Sequence, residues 1–145
     1  MKHQTQRLAQ PATIAVLVIG GFDRDLIALL DILNDTDWTL YWNTSCADAG
    51  LTLERRSVDV ILCDRDMPDG NWKDVLAAAS SLPIPPPVIV TARFANERLW
   101  AEVLSLNGFD VLTKPFDADE VMRAISLARR FPKAEQPRIS GASAA

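Results

Sequence analysis

Continuous apolar runs of strand length occupy residues 14–19, 58–63 and 87–91, and shorter, weaker ones lie at 38–42 and 109–113. Stretches with helical spacing fall between and after them. The first helix is predicted from about Asp23 to Leu33, with Leu26, Ile27, Leu30 and Leu33 on one face. A second, near 46–55, is weaker because Gly50 interrupts it. A third, over about 72–80, begins behind Asn71, a favoured N-cap residue. The fourth covers about 95–107, with Leu99, Val103 and Leu106 turned inward and Gly108 as its stop. The last starts at Asp117, whose spacing to Glu120 is that of a capping box. Val121, Ile125 and Ala128 form its inner face, and Arg129 and Arg130 suit the dipole at its C-terminal end.

Strands and helices in strict alternation imply an α/β fold, a five-stranded parallel sheet with helices on both faces. In such sheets the reaction or ligand site lies beyond the carboxyl ends of the strands, where strand order reverses. The residues there are Gly20 and Gly21, Asp64 to Asp66, Thr91 and Ala92, and Lys114 with Pro115. Residues 1–11 are polar without period and 132–145 are rich in small residues and Pro, so both read as loose tails around one domain at 12–131. A chain of 145 residues has room for one core.

Composition narrows the function classes. Apolar residues make up 48% and charged residues 23%, as in ordinary globular domains, which excludes a disordered or fibrous chain. The net charge of −4, with no basic run, is a poor match for gripping nucleic acid by its phosphates. Two cysteines, Cys46 and Cys63, cannot build a dense disulfide framework, and the single histidine, His3, sits near the start of the chain. A zinc site and histidine-based catalysis are thereby disfavoured. The run Ile14–Ile19 follows Lys2 and Arg7, but it is too short to span a bilayer and lacks a small-x-small cleavage site. The chain reads as a cytoplasmic protein with reduced thiols and no membrane contact.

Chemistry gathers at the strand ends. The third strand runs into Asp64-Arg65-Asp66-Met67-Pro68-Asp69-Gly70, the fourth ends at Thr91-Ala92, and the fifth at Thr113-Lys114-Pro115-Phe116. Taken singly, each has a bland reading: an Asp in a turn, a β-forming Thr, a solvated Lys. Together they supply a nucleophilic carboxylate, a hydroxyl and an ammonium at one rim, the set that phosphoryl transfer needs. Gly20-Gly21 lacks the full Gly-x-Gly-x-x-Gly of a dinucleotide site, since Phe22 and Asp23 follow.

In Asp64 with Met67-Pro68, Val90-Thr91-Ala92 and Lys114-Pro115-Phe116, the sequence resembles the receiver domains of bacterial two-component response regulators. The resemblance spans about residues 12–131 and implies a flavodoxin-like fold. It implies that Asp64 accepts a phosphoryl group from a sensor histidine kinase or phosphotransfer protein. Thr91 and Ala92 then line the phosphate, Lys114 pairs with the carboxylate and afterwards with the phosphate, and the Lys114–Pro115 bond is cis. With no output module after residue 131, a stand-alone phosphorelay protein is expected to act through a downstream protein partner. It is not expected to contact nucleic acid directly, and the face of the fourth and fifth helices, the family's usual dimer and partner surface, is where a homodimer would form.

Two departures qualify that implication. The family's Mg²⁺ is held by two adjacent acids after the first strand, and here those positions are Gly20 and Gly21. Asp64 would remain as a metal ligand, with Asp66 as the best-placed substitute bordering the same cavity, whereas Asp23 and Asp25 suit the start of the first helix. Val111 stands where many receivers carry a Tyr or Phe that couples the phosphate to the outer face. An alternative thus stands beside the relay, a phosphorylation-independent pseudo-receiver that serves as a protein-interaction module. Among the tryptophans, Trp38 and Trp42 share one strand face and read as packing, and Trp100 is either a buried contact or an exposed anchor for a partner.

Overall fold

A computed structural model describes residues 13–130. The segments read as tails, and His3, lie outside the described residues, as do both domain limits at 12 and 131. The chain forms β1 (Ala15–Ile19), α1 (Arg24–Asn34), β2 (Thr39–Asn43), α2 (Cys46–Arg55), β3 (Val60–Asp64) and α3 (Trp72–Ser80). It continues through β4 (Val88–Ala92), α4 (Glu97–Ser105), β5 (Asp110–Thr113) and α5 (Ala118–Arg130). The sheet is parallel throughout, in the order β2-β1-β3-β4-β5. Strand order reverses between β1 and β3, which puts the switch point beside the end of β3. A two-residue antiparallel ladder, Asp66–Met67 against Gly70–Asn71, was not foreseen in the sequence.

Alternate strand residues feed the two faces of the sheet, as the period of two requires, so the core expected of one domain is split by the sheet into two layers. Leu17, Ile19, Ile61, Cys63, Val88 and Val90 pack against α2, α3 and α4, through Leu53, Trp72, Val75, Leu99 and Val103. Val16, Val18, Val60, Leu62, Ile89 and Leu112 pack against α1 and α5 through Leu26, Leu29, Leu33, Val121 and Ile125. Strands walled on both faces are apolar at every central position, which is why those runs show no alternation.

Several details differ from the periodicity reading. In α1, Leu29 is buried and Ile27 is exposed, because the buried stripe is set by contact with the sheet rather than by the apolar residues alone. In α4, Leu99 and Val103 are buried, but Leu106 is exposed at the C-cap. The left-handed residue that ends α4 is Asn107, with φ 77°, and not Gly108. Asn107 N–H donates to Leu104 O at 3.1 Å and Gly108 N–H to Val103 O at 2.8 Å, the paired bonds of a Schellman ending. Despite Gly50, α2 runs over the predicted span, since Ala49 and Leu53 bury against the sheet. Among the described residues no helix is long and apolar enough to cross a membrane.

Candidate functional site

Asp64 closes β3 from within the strand, one residue further than the apolar run indicated, and is in register with Thr91 of β4. That pairing brings the two side chains together. The Thr91 hydroxyl, itself buried, donates to Asp64 Oδ1 at 2.6 Å. Lys114 Nζ lies 2.8 Å from the same oxygen, with both side chains largely shielded from solvent. Positions 64, 91 and 114 therefore meet around one carboxylate oxygen, at the rim where the sequence put them.

The backbone holds this trio in place. Lys114 N–H donates to Ala92 O at 2.9 Å and Arg65 N–H to Thr91 O at 2.9 Å, fixing the loops after β5 and β3 onto β4. Ala92 is buried, and the Lys114–Pro115 bond is cis. Asp64, Thr91 and Lys114 open on a small hollow, of about 10 Å³ cavity volume, whose other walls include Gly20, Leu26, Leu29 and Phe116.

Gly20 shapes the free side of the carboxylate. A Cβ on Gly20 would sit 3.0 Å from Asp64 Oδ2, tighter than ordinary contact, so the glycine gives that oxygen its space. At Gly21 a Cβ would meet nothing within 4 Å. The Gly20 carbonyl accepts the indole N–H of Trp42 at 3.2 Å, and Trp42 lies against Phe22 with ring centroids 5.5 Å apart.

The remaining acids are placed differently from one another. Asp66, expected to border the hollow, does not line it: its side chain is 73% exposed and pairs with Arg65 Nε at 3.1 Å. The ladder with Asn71 turns residue 66 outward, which corrects its assignment as a substitute metal ligand. Asp23 caps α1, accepting from Leu26 N–H at 2.8 Å. Asp25 is buried and paired with Arg93 Nη2, a long-range contact that no motif or spacing encodes. Among the described residues no three metal-binding side chains cluster. Mg²⁺ needs near-octahedral oxygen coordination with one or two carboxylates. Asp64 Oδ2 alone, beside a Gly20 carbonyl already bonded to Trp42, does not fit that ion.

Neither thiol is poised for chemistry. Burial, followed by the nearby Asp69 charge, pushes Cys46 up to about 11, and burial pushes Cys63 up further. Both stay protonated at neutral pH, and the thiol is the weakly reactive form. Val111 is buried in the core on the α2–α4 side, Phe116 lines the hollow, and Trp100 is exposed on α4.

Fold and rim together define an open, doubly wound α/β domain whose switch point presents a carboxylate held by a hydroxyl and an ammonium. The response regulator receiver domain family matches residues 16–126, and the chain belongs to that family. It is 31% identical over 127 residues, 83% of its length, to the transcriptional regulatory protein KdpE of Staphylococcus aureus. It is 38% identical over 77 residues, 51% of its length, to a protein-glutamate methylesterase/protein-glutamine glutaminase of Treponema pallidum. The chain spans 52% and 19% of those relatives.

Solved structures share the flavodoxin-like fold. A CheY-like receiver domain protein from Methanospirillum hungatei superposes with a TM-score of 0.74 at 15% identity, over 86% of this chain and all of that one (100%). The receiver domain of the sensor histidine kinase PA1611 from Pseudomonas aeruginosa gives 0.72 at 18% identity, over 82% and 99%. That structure carries a magnesium ion in its active-site cleft.

Proposed function

We propose that the domain relays a signal by accepting a phosphoryl group on Asp64 from a phosphohistidine donor. The donor would be a sensor histidine kinase or a phosphotransfer protein. The observation that supports this most directly is the asymmetry of the carboxylate: Oδ1 is held by Thr91 and Lys114, and Oδ2 is left facing the hollow beside Gly20. Oδ2 attacks phosphorus, forming an acyl phosphate, as the donor's P–N bond breaks and its electron pair leaves with the nitrogen, which takes up a proton. Lys114 shares its charge between the carboxyl group and the new phosphoryl oxygens, and the Thr91 hydroxyl turns from Oδ1 to one of them. Ala92, through its carbonyl, keeps Lys114 in position.

The output then passes by protein–protein contact, with exposed Trp100 and Leu104 on α4 as the apolar part of a partner or homodimer surface. The setting is cytoplasmic, and the protein needs no direct contact with nucleic acid. Gly20, Gly21 and Val111 favour a second reading, a pseudo-receiver that docks partners without carrying phosphate. Incubation of the full chain with phosphoramidate, with and without Mg²⁺, followed by intact-mass measurement, separates the two. One added phosphoryl group, lost in Asp64→Asn, is the expected result; an unmodified wild-type chain leaves the docking module as the function.

A further inference from the structure

Resting on the relay reading, the charges at the rim raise a question that Asp64 and Lys114 alone do not answer. Their pair is neutral before transfer. An acyl phosphate places close to two negative charges where one stood, and Lys114 supplies a single positive one. The donor atoms around Asp64 do not suit a divalent cation, so another cation has to come from the chain itself.

The candidate, Arg93, does not line the hollow but follows closely in the chain on one residue that does. Arg93 lies two residues beyond Thr91 and pairs across to Asp25, the neighbour of Leu26. Thr91 and Leu26 both line the hollow that holds Asp64. The Arg93–Asp25 pair thus ties the loop after β4 to the first turn of α1, on two sides of that hollow. The two partners are unequally placed: the Asp25 side chain is 10% exposed and that of Arg93 is 56% exposed. Asp25 is also supported by the start of α1, where helix N–H groups favour a carboxylate. Arg93 meets Asp25 through Nη2, and a guanidinium carries five donors in a fixed fork. It can keep one branch on Asp25 while another binds a phosphoryl oxygen, a geometry suited to bidentate contact with phosphate.

We infer that Arg93 is the second cation of the phosphoryl site, standing in for the charge a divalent metal brings to sites with an acidic pair. Asp25 is its positioning residue, holding the guanidinium on the loop next to Thr91, from which it reaches over the rim when the phosphoryl group arrives. Phosphorylation of Asp64 is then independent of Mg²⁺ and dependent on Arg93.

The test uses the full chain with phosphoramidate in excess EDTA, read as the rate of adduct formation by intact mass. Wild type is expected to react in EDTA at about the rate seen with Mg²⁺. Because Arg93→Gln alone strands a buried carboxylate, it is paired with Asp25→Asn, which removes both charges and keeps the hydrogen-bond partners. That double variant is expected to react at least about tenfold more slowly, the effect of losing one charge-assisted bond. Arg93→Lys should fall between, retaining charge without the fork. A double variant that reacts at the wild-type rate, or a wild type that needs Mg²⁺, overturns the inference and leaves Asp64 as acceptor. A wild type that takes no phosphate under either condition overturns both.

Discussion

The Asp69 carboxylate accepts from Cys46 N–H at 2.8 Å and from Ala47 N–H at 3.1 Å, capping α2 from a loop more than twenty residues away. Those two backbone bonds hold its carboxyl below the usual carboxylate range. A depressed folded value stabilises the fold above the unfolded value of about 3.9 and loses that contribution as pH falls through the folded value. The melting-temperature gap between wild type and Asp69→Asn should therefore be widest near about pH 6 and shrink toward about pH 3. A gap that stays constant would remove the ionised carboxylate from the explanation. In the sequence Asp69 is the middle of Pro68-Asp69-Gly70 and reads only as turn chemistry, because its partners are distant along the chain. Asp64, Thr91 and Lys114 were legible for the opposite reason: each marks the end of a strand, and a parallel sheet brings strand ends together. Arg93 follows the end of β4 and Asp25 lies in the first turn of α1, a loop and a helix whose mutual approach no periodicity encodes.

Among the elements, the ending of α4 shows where pattern and geometry part. Gly108 looks like a helix stop, yet the left-handed turn is taken by Asn107, whose short polar side chain tolerates it. Gly108 is required for space instead. A Cβ there would lie 2.5 Å from Val103 Cγ1 and 3.0 Å from Val103 O, and that carbonyl is fixed by the Schellman bond. Gly108→Ala is expected to cost about 1–3 kcal/mol, as overpacking does. Urea unfolding would measure it, and an unchanged midpoint would show that the turn can relax. Strand and helix identities are readable where a continuous apolar run or a helical stripe marks them, as in β1, β3, β4, α1 and α5, and more weakly in β2 and β5, whose runs are short and broken by polar residues. The ladder at Asp66–Met67 was not, since two residues carry no period, and it is this ladder that turns Asp66 away from the hollow.

At the scale of the whole molecule, the Asp64–Thr91–Lys114 cluster exists only when β3, β4 and β5 are assembled, since each strand end contributes one member of the trio. A ligand that bridges them binds the folded state alone and raises its stability by mass action, about 2.7 kcal/mol at a hundredfold excess over Kd. Beryllium fluoride, a phosphoryl mimic that bonds a carboxylate, should raise the melting temperature by roughly 5 °C or more on that basis. Asp64→Asn should show no shift, and an equal shift in both proteins would place the ligand elsewhere. The bond from the Trp42 indole to the Gly20 carbonyl has a consequence of its own. It couples a fluorophore on the outermost strand to the peptide group beside Asp64. A displacement of that peptide would change the polarity sensed by the ring, so in a variant keeping Trp42 as its one tryptophan the emission is expected to gauge events at the rim.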